Sequence, residues 1–204
     1  MSADASCASG IAQSKASATK ADFPNPPAVP LESSASIVAA MATARAGYMR
    51  AEAITSLSSP SSTDPETSAS ATASCDADLV YTISMAGQSG AGYLKPQLTI
   101  LPVRGVEQSV ATASASLGSA TISADSSSVS GQEIRNETKI QFTFGEQLEL
   151  HLHLAALSTT SFVPGVSEPS SQARADFTGV NVYLTDDIEA QDVTSQCAII
   201  RQFA

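Results

Sequence analysis

Between residues 138 and 157, large apolar and polar side chains alternate with a period of two. That rhythm constrains the fold more than any other feature of the chain. Lys139, Gln141 and Thr143 alternate with Ile140, Phe142 and Phe144. After Gly145-Glu146, Leu148, Leu150, Leu152 and Leu154 alternate with Glu149, His151 and His153. Successive side chains of a strand point to opposite faces, so the pattern predicts antiparallel strand with one side buried and one side wet.

The same rhythm recurs along the chain. Residues 68–86 put Leu79, Tyr81 and Ile83 on one face and Val80, Thr82 and Ser84 on the other. A glycine turn follows at 87–92, then a strand over 93–103 in which Pro96 implies an edge or a bulge. Residues 110–122 alternate small side chains, 125–132 read as a polar loop, and 158–172 as a long loop with Pro164, Gly165 and Pro169. Strands at 173–184 and 193–203 complete the set. Residues 36–57 mix helix formers with a period-two pattern; they are read as extended, with a bend at Gly47, and 58–66 as a loop. Short strands between turn signals predict an all-β fold, an antiparallel, jelly-roll-like β-sandwich over 36–204. Residues 1–35 are Ser/Ala-rich and then Pro-rich, and read as a disordered arm, extended near Pro24 to Pro30.

Composition narrows the function. Hydrophobic residues make up 43% of the 204, but much of this is Ala, aromatics are 5% and Trp is absent. The core is therefore expected to be thin, built from Leu, Ile, Val and a few Phe. A net charge of −10, with no Lys/Arg cluster, repels phosphate backbones and argues against nucleic acid as a partner. No apolar run of about 18 residues exists, so no membrane span is expected. The cysteines are Cys7, Cys75 and Cys197, without a C-x-x-C spacing. Three thiols or one pair are both open; Cys75–Cys197 is the first pair to test, because Cys7 lies in the arm.

Few side chains offer chemistry. His151 and His153, two apart on one strand face, could present two imidazoles to a metal, with Glu149 on the same face as a third ligand. The plainer reading is the wet face of an amphipathic strand. Asp186-Asp187, with Glu189 and Asp192, offers oxygen ligands of the kind Ca²⁺ takes, but lacks EF-hand spacing; a solvated acidic loop is the plainer reading. Asp76 and Asp78, after Asp64 and Glu66, read the same way. Both His lie on one strand and no Gly-x-Ser-x-Gly occurs, so a hydrolase triad is not indicated. Scarce aromatics argue against a sugar-cleaving cleft. No cofactor is implied. Asn136-Glu137-Thr138 matches a glycosylation sequon.

Several stretches, taken together, resemble a known class. They are Ala46-Gly47-Tyr48-Met49-Arg50-Ala51, Cys75-Asp76-Ala77-Asp78-Leu79-Val80 followed by Gly92-Tyr93-Leu94, the run from Ile140 to Leu150, and Ala173-Arg174-Ala175-Asp176-Phe177. Over 36–200 the chain resembles the surface domains of bacterial exported proteins that carry a PEP-CTERM sorting tail recognised by an exosortase. It departs from them at both ends: residues 1–10 lack a basic start with an apolar stretch, and no Pro-Glu-Pro motif follows Phe203. The resemblance implies an extracellular or cell-surface β-sandwich, tied to cell surfaces or exopolysaccharide. The expected function is a non-enzymatic structural or interaction module that self-associates through sheet edges. The alternative is a carbohydrate- or Ca²⁺-binding module.

Overall fold

The computed structural model describes residues 2–7, 17–19, 36–45, 48–57, 68–105, 109–161 and 170–203. Its strands are β1 (Ser2–Cys7), β2 (Ser17–Thr19), β3 (Ser36–Arg45), β4 (Tyr48–Leu57), β5 (Ser68–Met85) and β6 (Ala91–Arg104). They continue as β7 (Val110–Leu117), β8 (Ala120–Asp125), β9 (Ile134–Arg135), β10 (Ile140–Thr143), β11 (Gln147–Ser161), β12 (Ser170–Tyr183) and β13 (Cys197–Phe203). One sheet runs β2-β1-β5-β11-β7-β8, with β13 also on β5. The other runs β10-β6-β12-β4-β3, with β9 also on β6. The two sheets pack face to face, as an all-β sandwich requires. Pairing is antiparallel except between β1 and β5, which run parallel.

β11 shows why the alternation is so regular there. It is paired on both edges, with β5 and with β7. Leu150, Leu152 and Leu154 point into the core, while Glu149 and His151 are exposed. From β5, Leu79, Tyr81 and Ile83 join them, as the sequence pattern requires. Leu94, Leu98, Ile100, Phe177 and Val182 answer from the second sheet. Phe142 and Phe144 meet edge to face, with centroids 4.9 Å apart, over Gly92. A Cβ at Gly92 would lie 2.7 Å from both rings, so the strand needs glycine there.

Along the sandwich the core tapers. Past Leu154 on β11 come Ala156, Ser158 and Thr160; past Cys75 on β5 come Ala73 and Ala71. Ala51 and Ala53 on β4 lead to Thr55, and Ala173 on β12 leads to Ser171. All of these are buried. Thr55 Oγ1 lies 2.8 Å from Ser158 Oγ, 2.6 Å from Thr160 Oγ1 and 3.3 Å from Ser171 Oγ, so hydroxyls bridge the two sheets directly. Buried hydroxyls are tolerated only when hydrogen-bonded. Leu, Ile and Phe fill one end of the core, as expected, but Ala and hydroxyl residues fill the other.

The hydroxyls also explain where the sequence boundaries shift. β11 runs on through Ser161 and β12 begins at Ser170, inside the stretch read as a loop over 158–172. Polar residues looked like loop because their burial depends on partners in another strand. The run read as one strand over 110–122 is a hairpin, turned at Gly118-Ser119, with Gly118 at φ +56°. Asp125 caps the single helical turn α1 (Ser126–Val129), accepting from the Ser127 and Ser128 backbone N–H groups. The extended reading of 36–57 becomes the antiparallel pair β3 and β4. The bend at Gly47, the loop at 58–66 and the Pro24–Pro30 stretch lie outside the described residues. Part of the arm read as disordered belongs to the sheet. Ser2–Cys7 pairs in parallel register with Ser70–Cys75, and the two hexapeptides share the alternation Ser-Ala-x-Ala-Ser-Cys.

The expected Cys75–Cys197 pair does not form. Cys75 is disulfide-bonded and Cys197 is a free thiol. β13 places Cys197 opposite Met85, at the far end of β5 from Cys75, while β1 sets the backbone of Cys7 beside Cys75. Burial, reinforced by Asp192, pushes the Cys197 thiol pKa up.

Two stability predictions follow from this core. Thr55→Val keeps the shape but removes the hydroxyl that three others share, so unfolding free energy in urea should fall by about 1–3 kcal/mol. Tyr81 is buried beside the Arg201 guanidinium without a well-formed hydrogen bond to it. Burial raises its pKa above the usual value, and Arg201 only partly offsets this. A phenol whose folded pKa is raised contributes stability that is present below about pH 10 and is lost as pH rises through the folded value. Urea midpoints measured between pH 8 and 11 should therefore drop at the alkaline end, and drop less in Tyr81→Phe.

Candidate functional site

The sandwich presents two outer faces, and each gathers polar side chains by the same rule: what alternates with the core points out. On the first sheet the β5/β11 register sets His151 opposite Asp78 and His153 opposite Asp76. His151 Nδ1 is 2.8 Å from Asp78 Oδ1, and His153 Nδ1 is 2.6 Å from Asp76 Oδ1. His151 Nε2 stands 3.7 Å from that same Asp76 oxygen. The sequence reading found the two imidazoles but gave them Glu149 as a neighbour. The structure puts Glu149 opposite Val80 and brings Asp76 and Asp78 across instead. Their signal was in the sequence, as an acid-x-acid pair on an alternating strand, but nothing local shows that this strand is the partner. As they stand, the four side chains contact one another, and among the described residues no group of three or more His, Cys, Asp or Glu could hold a metal ion.

Asp186 and Asp187, the other proposed ligands, lie in the turn after β12 of the second sheet, whereas the histidines stand on β11 of the first. Glu189 lines the same open turn, whereas Asp192 turns away to bond Asn181 and Thr194. Lys139 Nζ donates to the Thr185 and Asp187 carbonyl oxygens, so the turn already holds a cation of the protein's own. The Asn136 sequon is likewise structural. Asn136 is buried, its amide donates to the Pro96 and Thr138 carbonyls, and its Oδ1 accepts from Thr138 N–H.

The second sheet carries the larger polar array. At Phe177/Val180 the β12 register shifts, so Thr178 and Gly179 together oppose Gln97, with Gly179 at φ +136°. This is a β-bulge, which bends its strand and re-aims side chains. Pro96, flagged from sequence, lies opposite Val180 at the edge of that bulge, which sits on the partner strand. Beside it is a groove of about 440 Å³ whose lining includes Lys95, Gln97, Thr99, Arg135, Asn181 and Tyr183. Thr178 Oγ1 donates to Gln97 Oε1, Gln97 Nε2 to Asn181 Oδ1, and Asn181 Nδ2 to Asp192 Oδ2. The charges there are paired, Lys95 with Glu137 and Arg135 with Glu133. Tyr93 stands opposite Tyr183, and the Lys139 ammonium lies 4.6 Å from the Tyr183 ring centroid.

Further along the same face Asp176 is nearly covered. It accepts from Arg50 Nε at 2.6 Å and from Tyr48 Oη at 3.1 Å, and Arg174 Nε lies 2.9 Å away. Its hydrogen bond holds the Arg50 guanidinium pKa above the usual value, and burial with the Asp176 charge raises that of Tyr48. Gln172 Nε2 donates to Glu52 Oε1 in the same strip. Apart from Asp192, read as an oxygen ligand, the sequence singled out none of these residues for function, because outward polar residues on a strand carry no mark of which strands lie side by side.

No family model matches the chain, and no curated protein or solved structure is similar to it. No helix among the described residues is long and apolar enough to cross a membrane.

Asp176→Ala would leave the Arg50 guanidinium and the Tyr48 hydroxyl without their shared acceptor, and the Arg174 guanidinium without its ion-pair partner. Both arginines are partly exposed, so water recovers some of the loss. Unfolding free energy should fall by roughly 1–3 kcal/mol, read from urea denaturation at pH 7.

Proposed function

We propose that the chain is a non-enzymatic interaction module of a bacterial exterior, and that the outer face of its second sheet holds a neutral polysaccharide. The hydrogen-bonded chain from Thr178 through Gln97 and Asn181 to Asp192 carries this reading. Each amide in it uses one N–H and one lone pair on its neighbours and keeps the others for a ligand. The result is a row of donors and acceptors fixed before binding, which lowers the ordering cost of association. Sugar hydroxyls both donate and accept, so they match such a row. The paired charges of the groove and the net charge of −10 favour a neutral polymer over an anionic one. The groove's polar groups engage one another instead of converging on a reacting atom.

Two further observations support the exterior location. One is the resemblance to exported surface domains. The other is the disulfide at Cys75, a bond that forms and persists in oxidising compartments. A contribution from self-association rests on β8 and β3, which end their sheets among the described residues and leave one edge each.

Affinity electrophoresis through gels containing neutral polysaccharides tests the reading. At least one polymer should retard the protein, without release of reducing ends. The double variant Gln97→Ala, Asn181→Ala should bind about tenfold more weakly with an unchanged circular-dichroism spectrum. No retardation across the panel, or equal retardation of the variant, would refute it.

A further inference from the structure

We propose that the open edge of β13 accepts an extended segment of another polypeptide by strand addition, and that Arg201 restricts the choice to segments that set a carboxylate opposite it. This edge belongs to the first sheet and the groove to the second, so its success or failure is independent of the polysaccharide reading.

β13 pairs with β5 in one continuous register, from Cys197↔Met85 to Phe203↔Leu79. Among the described residues it has no partner on its other side. Such an edge presents a row of free N–H and C=O groups, which proteins commonly blunt with Lys, Pro or a bulge. β13 reads Cys-Ala-Ile-Ile-Arg-Gln-Phe and carries none of these. Its seven residues are enough for a strand of ordinary length. On its outer side Ile200 is 57% exposed, so the edge also offers apolar surface.

On the inner side the edge carries a charge. Register sets Arg201 opposite Tyr81, and residues directly opposite share a face. Tyr81 is 1% exposed, so the half-buried Arg201 lies at the rim of the core. Arg50, Arg174, Lys95 and Arg135 all have carboxylate partners, whereas among the described residues Arg201 has none. Tyr81 Oη lacks a well-formed hydrogen bond as well. A guanidinium donates and cannot accept, so it leaves the phenol proton without an acceptor. This corner of the sandwich is short of an acceptor, and a carboxylate on an added strand supplies one. Water is partly excluded there, which strengthens the ion pair. A strand with an apolar or basic residue at that position would instead cover an unpaired charge, which is costly. The inward charge thus rejects most strands and admits an acidic one, so repulsion sets partner choice as much as attraction does. A second copy of β13 or of β3 does not meet the requirement, since neither strand contains Asp or Glu. In β8 the Asp125 carboxylate is already engaged in capping α1. The occupant is therefore a segment of a different protein, extended, with an acidic side chain facing Arg201 and an apolar neighbour resting on Ile200.

Two short synthetic peptides test the edge, each alternating Thr and Val, one with Asp in place of its central Thr and one with Lys there. Binding to the full chain is read by fluorescence anisotropy, and its location by amide hydrogen exchange. The Asp peptide should bind and slow exchange along β13, and the Lys peptide should bind about tenfold more weakly or worse. Arg201→Glu should reverse that preference. Arg201→Gln keeps the amide donors without the charge; it should level the preference, and it decides the matter should the Glu variant fail to fold. Absence of binding by the Asp peptide overturns the proposal. So does equal binding of the two peptides by the unaltered chain, or exchange protection that falls on β3 or β8 and not on β13.

Discussion

At one end of the sandwich the two sheets are joined by hydroxyls, not by apolar side chains. Thr55 on the second sheet bonds Ser158 and Thr160 on the first, and Ser171 joins them. Sheets carrying Leu and Phe stand about 10 Å apart. Alanines allow a nearer approach but bury little area, so they supply little of the attraction. Hydroxyl contacts close that end directionally, since a hydrogen bond fixes geometry in a way that apolar contact does not. The large side chains at the other end supply the hydrophobic contribution. The sandwich therefore depends on two kinds of contact placed at opposite ends of the same strands.

This division explains what was legible in the sequence. The large-residue end read easily: Leu79, Tyr81 and Ile83 on β5, and Leu150 to Leu154 on β11, announce their faces by contrast with their neighbours. The small end did not. Ser158, Thr160 and Ser171 look like loop residues, because their burial is licensed only by partners in other strands. Gly118-Ser119 was visible as a dipeptide but not as a turn, since the small residues on both sides gave no change of rhythm. The disulfide was misjudged for a related reason. Ser2–Cys7 looks like an arm until its alternation is laid beside that of Ser70–Cys75.

The functional faces were legible in proportion to how local they are. His151 and His153 sit on one strand and were found together. Asp76 and Asp78 sit on another, and pairing them with the histidines needs the β5/β11 register, which no local pattern encodes. The groove demands more, because Gln97, Thr178 and Asn181 converge through a bulge in one strand opposite its neighbour. Composition says nothing about which polar residues share a surface.

The outer faces are nonetheless tied to the core by a single variable, the register. A slip of one residue in β11 would turn Leu150, Leu152 and Leu154 to water and His151 and His153 inward. The apolar cost of that slip forbids it, since three leucines buried at 8% exposure or less would be lost from the core. A slip of two keeps the leucines inside but would set His153 opposite Asp78 or His151 opposite Asp76, and leave one partner of each kind unmatched. Both the hydroxyl bridges at the small end and the two His–Asp pairs on the face resist that slip. The buried end of the strand and its charged surface thus select the same alignment, and the positions of the imidazoles inherit the rigidity of a core they do not touch.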